Sequence, residues 1–416
     1  MTTSSMTSTA TPVQSAERMH VLDILRGFAL FGILMMNIEY FQRPMQAIML
    51  GFDQSQVGID YAVGWFVYVF IQGKFYTLFS LLFGIGFVIF LDRAREKVAK
   101  PRLLFLRRIL ILAAIGALHA FLIWAGDILL LYAFVGLFLM LLFHNTPVSR
   151  LWKWGLVLLI FPLLLFLLGA WGIAMGMQAD PDTMINAFSA QQSALLSDME
   201  RADYIYSQGN FWEVVQWRMY EMGQLYLGAG FLFFIPSILA LFLFGAAAAR
   251  AGLFRDIAAN IRYFKRFAVL GYGLGVPAAL LFGQFSMNLD MLMPTYQGAL
   301  ALTLQTVANI TLCFAYISTL VLLMHYGKRW VQVFAPAGRM ALTNYLLQSL
   351  VFTLIFYGYG LGLYGEVGRA TATLMAIALY VGQLTASAWW LQRYQYGPME
   401  WLWRSLTYGR RQAFKL

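Results

Sequence analysis

The chain has 416 residues, 61% of them hydrophobic and only 12% charged, and a water-soluble domain of that composition lacks the polar surface to cover its core. The net charge of +10 does not point to nucleic acid, because the Lys and Arg residues sit in short segments between apolar runs, as they do in the cytoplasmic loops of membrane proteins. Cys313, the single cysteine, lies inside an apolar run, which excludes an intrachain disulfide framework and a thiolate zinc site.

The fold class expected is therefore all-α: a polytopic membrane protein with about ten transmembrane helices and both termini in the cytoplasm. Residues 1–22 are Ser/Thr-rich and read as a disordered cytoplasmic tail. The first apolar run follows without a small-residue cleavage pattern and reads as a retained helix. At about 20 apolar residues per crossing, the expected spans are 24–42, 75–91, 106–124, 127–143, 152–175, 226–249, 266–284, 299–324, 340–360 and 370–391. The apolar segment 57–73 stays open, as an interfacial or re-entrant helix or as the outer part of a long second helix. The transmembrane domain runs over 23–395, and 396–416 forms a cytoplasmic interfacial segment in which Trp401, Trp403 and Arg404 read as an anchor. Arg93, Arg95, Lys97, Lys100 and Arg102, and later Arg250, Arg255, Arg262 and Lys265, fall inside on this topology. The acidic stretch 176–225, with Asp180, Asp182, Asp198, Glu200, Asp203, Glu213 and Glu221, falls outside, as a loop with short helices lying on the surface or capping a cavity.

Ionisable and amide groups within apolar runs cost several kcal/mol unless paired or hydrated, so each is a candidate for function. In chain order, Asp23, Arg26 and Asn37 share one face of the first helix, either as an inner-leaflet ion pair with interhelical glue or as part of a site. Lys74 either snorkels to an interface or holds a ligand. Arg107 and Arg108 precede His119, and Arg108 and His119 lie eleven residues apart on one helical face, roughly 16 Å along the axis. That pattern places a cationic mouth below a buried imidazole. The arginines read as topogenic charge or as a phosphate grip, and His119 as a satisfied core histidine or a general base. Asp127 reads as the N-cap of the next helix, as the group that orients His119, or as the receiver of a substrate hydroxyl from outside. Asn344 and Gln348, one turn apart, read as interhelical glue or as donors to a substrate, with Tyr345 beside them. No P-loop, no G-x-S-x-G, no H-E-x-x-H and no metal-ligand spacing is present, so no metal is expected.

Leu22-Asp23-Ile24-Leu25-Arg26-Gly27 with Asn37, Lys74-Phe75 through Phe83-Gly84, Gly126-Asp127-Ile128-Leu129, Gly338-Arg339-Met340-Ala341-Leu342-Thr343-Asn344-Tyr345 and Gly397-Pro398-Met399-Glu400-Trp401 together resemble the bacterial YeiB-like membrane protein family, nearly end to end. That family is similar to the transmembrane acyltransferase superfamily, with the lysosomal heparan glucosaminide acetyltransferase and the acyltransferase-3 proteins. The resemblance implies an acyl-CoA donor from the cytoplasm, an extracytoplasmic glycan or small-molecule acceptor, and residence in the bacterial inner membrane. Arg26 matches the arginine of the superfamily's opening motif, but Asn37 stands where acyltransferase-3 proteins carry a histidine. His119 is accordingly taken as the base on burial and alignment alone.

The function expected is transfer of an acyl group to a hydroxyl or amine. His119, Asn37, Asp127, Arg26 and Asp23 form the catalytic set, and Arg107, Arg108, Lys74, Asn344 and Tyr345 hold acyl-CoA or the developing oxyanion. Membrane lipids are the surrounding partners, nucleic acid is not one, and a homodimer is compatible with this reading. The alternative is a transporter or exporter of a small solute or lipid, since the same buried polar groups line substrate pathways. A noncatalytic scaffold that binds partners through 176–225 is a third class.

Overall fold

In a computed structural model, residues 19–228, 230–287 and 293–416 are described, and they are helical with no strands. The expected tail 1–22 lies almost wholly outside the described residues. In chain order the helices are α1 (His20–Tyr40), α2 (Gly58–Phe66), α3 (Lys74–Lys97), α4 (Pro101–Leu122), α5 (Leu129–Phe143), α6 (Val148–Ala179), α7 (Pro181–Gln208), α8 (Phe211–Leu227), α9 (Gly230–Arg250), α10 (Ile257–Ser286), α11 (Tyr296–His325), α12 (Phe334–Arg339), α13 (Ala341–Phe356), α14 (Arg369–Trp390) and α15 (Pro398–Tyr408).

Among the described residues, eight helical stretches are long and apolar enough to cross a membrane, and the bent pair α12–α13 raises that to nine. The protein is a multi-pass membrane protein, with its hydrophobic surface turned to lipid. Along α6, for example, Trp152, Leu156, Leu164, Leu168 and Trp171 are exposed. The expected spans fall on these helices with three differences. The segment 57–73 continues into the second span: α2, a π turn at Val67–Ile71 and α3 form one 40-residue apolar stretch, broken at Gly73, whose φ is 86°. The span expected at 340–360 begins with a bend of 77° between residues 329–339 and α13. The fourth span is only the 15 residues of α5, about 22 Å at 1.5 Å per residue. The segment before α5 dips into the protein instead of continuing the helix.

The loop 176–225, expected on the outer side, carries two substantial helices rather than short ones, of 28 residues in α7 and 17 in α8. Each starts on a side-chain cap. Asp180 accepts the Thr183 N–H, and Asn210 and Glu213 form a capping box. That local chemistry explains why a polar loop is helical.

Helix ends alternate between two faces. The basic face carries the turns after α3, α5, α9 and α11 together with α15, and Arg95 and Arg250 both donate to the His144 carbonyl there. The opposite face carries α7, α8 and the connections 41–57, 123–128 and 357–368. Backbones meet closely where glycine permits it. A Cβ at Gly338 would overlap the Asp23 carbonyl and one at Gly27 the Phe334 carbonyl, which locks α12 onto α1. The end of the chain is tied in by Glu400, whose carboxylate accepts the N–H groups of Leu342 (2.7 Å) and Thr343 (3.1 Å) at the start of α13.

Candidate active site

His119 lies near the end of α4, fully enclosed by protein at 1% exposure. Its Nδ1 is 2.7 Å from Asp127 Oδ1, and both side chains are 1% exposed. Asp127 Oδ2 accepts the Leu130 N–H at 2.7 Å, so one carboxylate joins α4 to the first turn of α5. Two readings of Asp127, as helix cap and as orienter of His119, hold together.

An ionised Asp127 accepts only, so it takes a hydrogen bond from His119 Nδ1–H, and in the neutral ring of that tautomer Nε2 carries the lone pair. That Nε2 is buried and has no hydrogen-bond partner. An imidazole with one nitrogen fixed by Asp and the other unclaimed has the tautomer a general base requires. The Tyr345 ring lies 5.1 Å from the imidazole, and its hydroxyl donates to the Gly126 carbonyl at 3.4 Å.

Gly116 lets α5 approach α4, since a Cβ there would strike the Leu130 nitrogen. From the opposite face, Met222 of α8 packs on Ala120 and Ala125, with Met45, Leu225 and Tyr226 around them. Helix α8 therefore roofs the His–Asp pair.

Below it on α4, Arg108 is half-buried and Arg107 exposed. The Arg108 guanidinium stacks 3.6 Å over the Trp403 ring of α15 and 5.2 Å from that of Phe90, and Arg26 and Arg404 lie within electrostatic reach of it. Arg26 is ion-paired with Asp23 at 2.6 Å and is 32% exposed. The face of α4 between Arg108 and His119 is filled by the buried Leu112 and Ile115.

The remaining candidates separate. Lys74 belongs to a different level from the arginines. Its ammonium, buried in the protein, donates to the Gln72 carbonyl at 3.0 Å, and Phe90, which touches Arg108, lies sixteen residues or about 24 Å further along α3. The expectation that Lys74 joins Arg107 and Arg108 on one phosphate is corrected by that separation. Asn344 is also committed elsewhere: its Nδ2 donates to the Ala337 carbonyl (3.3 Å) and Ser387 Oγ (2.9 Å). Gln348 donates to Gln383, which donates back to the Asn344 carbonyl, and this amide network joins α13 to α14. Asn37 is buried on α1, near the opposite face.

A second polar cluster under α7 and α8 was not singled out from the sequence. Glu221 accepts from Tyr206 (2.5 Å) and Trp217 (3.1 Å), and burial raises its pKa to about 7, against hydrogen bonds from Tyr206, Gln46 and Trp217. Arg218 is fully buried beside it. The signal was present: Val214, Trp217, Arg218, Glu221 and Met222 are all buried at helical spacing, which puts Arg218 and Glu221 on the apolar stripe of α8. Glu39, paired with Arg43 and with Arg369, continues the cluster toward α1 and α14.

Fold and site together define a multi-pass helical membrane protein with a buried His–Asp pair, and no group of three or more metal-type ligands occurs among the described residues. Residues 248–410 match the family model described as "Protein of unknown function (DUF418)". The chain is 34% identical to the uncharacterized protein YxaH of Bacillus subtilis (strain 168), over 96% of this chain and 97% of that one. It is 32% identical to the uncharacterized protein YeiB of Escherichia coli (strain K12), over 94% and 96%. A Bacillus acidopullulyticus protein, described as an uncharacterized 39.9 kDa protein in the amylase 3' region, is 28% identical over 96% of each chain. The chain belongs to the YeiB-like family. No solved structure matches it.

Proposed function

We propose that this protein is a transmembrane acyltransferase of the bacterial inner membrane, in which His119, oriented by Asp127, is the general base. The observation that carries the reading is the His119 Nε2, buried and unclaimed while Nδ1 is held 2.7 Å from a carboxylate. The basic face is cytoplasmic on this reading, by its excess of Lys and Arg. Acyl-CoA sets its phosphates against Arg107, Arg108 and Arg26, and Leu112 and Ile115, which fill the face of α4 between Arg108 and His119, must part for the pantetheine arm to reach the imidazole. Nε2 takes the proton of an acceptor hydroxyl or amine, the acceptor atom bonds to the thioester carbonyl, and the C–S bond breaks. The proton then passes from the imidazolium to the CoA thiolate. Asp127 stabilises the imidazolium, and the Tyr345 hydroxyl would serve the developing oxyanion by turning from the Gly126 carbonyl.

The test is retention of CoA by the purified protein and release of free CoA from acyl-CoA in the presence of envelope acceptors. His119→Ala is expected to lower release by about 100-fold or more, the scale of general-base catalysis. Asp127→Asn, which keeps an acceptor for the Leu130 N–H but favours the wrong tautomer, is expected to fall similarly while folding normally. Undiminished transfer by His119→Ala removes His119 from the mechanism.

A further inference from the structure

Arg218 sits fully buried on α8, and its Nε and Nη1 have no hydrogen-bond partner. Its Nη2 donates to the Tyr359 hydroxyl at 3.0 Å, and its guanidinium lies 5.2 Å from the Tyr357 ring. No carboxylate forms an ion pair with it among the described residues. Glu221, one turn away, is turned to Tyr206 and Trp217 instead. Glu221 lies within electrostatic reach of the guanidinium but makes no contact with it, and a buried guanidinium with no contacting anion carries a desolvation penalty of several kcal/mol that a bound oxyanion offsets. A second unsatisfied donor lies in the same cluster: the Tyr364 hydroxyl is buried without a partner, and its ring stacks on Tyr206 at 5.6 Å and lies 5.9 Å from Tyr357. Three of these groups come from the connection after α13, on the face opposite the basic one.

We propose that Arg218 and the Tyr364 hydroxyl form an anion-binding subsite that receives a carboxylate or phosphate carried by a ligand from the face opposite the CoA arginines. The guanidinium fork matches the paired oxygens of either group. Arg218 is four residues from Met222, about 6 Å along α8, and Met222 packs on Ala120 beside His119. Arg218 therefore lies about one helical turn from the residue that covers the His119 site. In the acyl-transfer reading this ligand is the acceptor, and that label rests on the reading; the anion site itself does not.

The experiment is ligand-induced thermal stabilisation, with tryptophan fluorescence from Trp217 as a second readout, on the purified full chain without acyl donor. The probes are glucuronate, glucose 6-phosphate, inorganic phosphate and neutral glucose, each against sodium chloride at equal ionic strength. Saturable stabilisation by glucuronate or by the phosphates, absent with glucose, is expected. The glucuronate arm against the phosphate arms tells which oxyanion is preferred, and inorganic phosphate against glucose 6-phosphate tells whether the ring contributes. Arg218→Gln is expected to weaken binding at least tenfold. Because that variant removes a buried charge and so changes the fold's stability, Tyr364→Phe, which deletes only an unpartnered hydroxyl, is run beside it and is expected to weaken binding severalfold without lowering the melting temperature. Equal response to all anions and to sodium chloride, or binding undiminished in Tyr364→Phe and Arg218→Gln, overturns the proposal. Anion binding that persists in a protein with no CoA release refutes the acyl-transfer reading and leaves this site standing.

Discussion

Replacing Glu400 by Ala tests the claim that the end of the chain stabilises the start of α13. One carboxylate oxygen accepts the N–H groups of Leu342 and Thr343, the other accepts the Thr343 hydroxyl at 2.6 Å, and the same hydroxyl oxygen accepts the Met399 N–H at 3.1 Å. The two backbone donors belong to a first helical turn and have no partner within α13. Leaving a buried donor unsatisfied costs about 1–3 kcal/mol, so losing both gives about 2–6 kcal/mol, before the severed Thr343 link is counted. Glu400→Gln keeps an oxygen for the two N–H groups and turns an amide toward Thr343, and is expected to cost less than about 1 kcal/mol. The assay is unfolding in mixed detergent and dodecyl sulfate micelles, read from the midpoint at unchanged slope. A Glu400→Ala midpoint within about 0.5 kcal/mol of the parent, or a Gln variant as damaged as the Ala variant, refutes the reasoning.

Glu221 gives a pH dependence. Its folded pKa of about 7 lies above the ordinary 4.5, so the stability it confers is fully present below about pH 4.5 and is lost as the pH rises through 7; the total is at most about 3 kcal/mol. The parent should therefore lose stability relative to Glu221→Gln between those values, and parallel profiles would contradict it. Gly338→Val drives a side chain into the Asp23 carbonyl and should cost about 1–3 kcal/mol or prevent folding, whereas Gly86→Ala, with nothing within 4 Å of the added methyl, should be neutral or stabilising; comparing monodisperse yields and midpoints checks both.

Much of this was legible in the chain because lipid enforces it. Apolar runs long enough to cross a bilayer have few alternatives to helix, so α1, α4, α9, α11 and α14 fall where the hydropathy places them. Helical spacing likewise put Arg108 and His119 on one face of α4. Asp127 was legible only as alternative roles, and its two oxygens bond the His119 ring and the Leu130 N–H at once. Pairings between distant segments were not legible. Nothing local to Glu400 announces that it caps a helix beginning at Ala341, and nothing local to Lys74 tells how far it stands from Arg108. Arg218 was missed because 176–225 read as a polar surface loop, and charge in such a loop defaults to solvent. Reading the 3.6-residue period within α8 would have placed it inward.

The brevity of α5 has a consequence for any chemistry at its N-terminal end. At about 22 Å it is shorter than a hydrocarbon core of about 30 Å, so the helix alone does not cross it and the buried joint bearing Asp127 shares the remaining depth. Under the proposed function, a thioester brought to that joint would meet little bulk water, and competing hydrolysis would be suppressed by position.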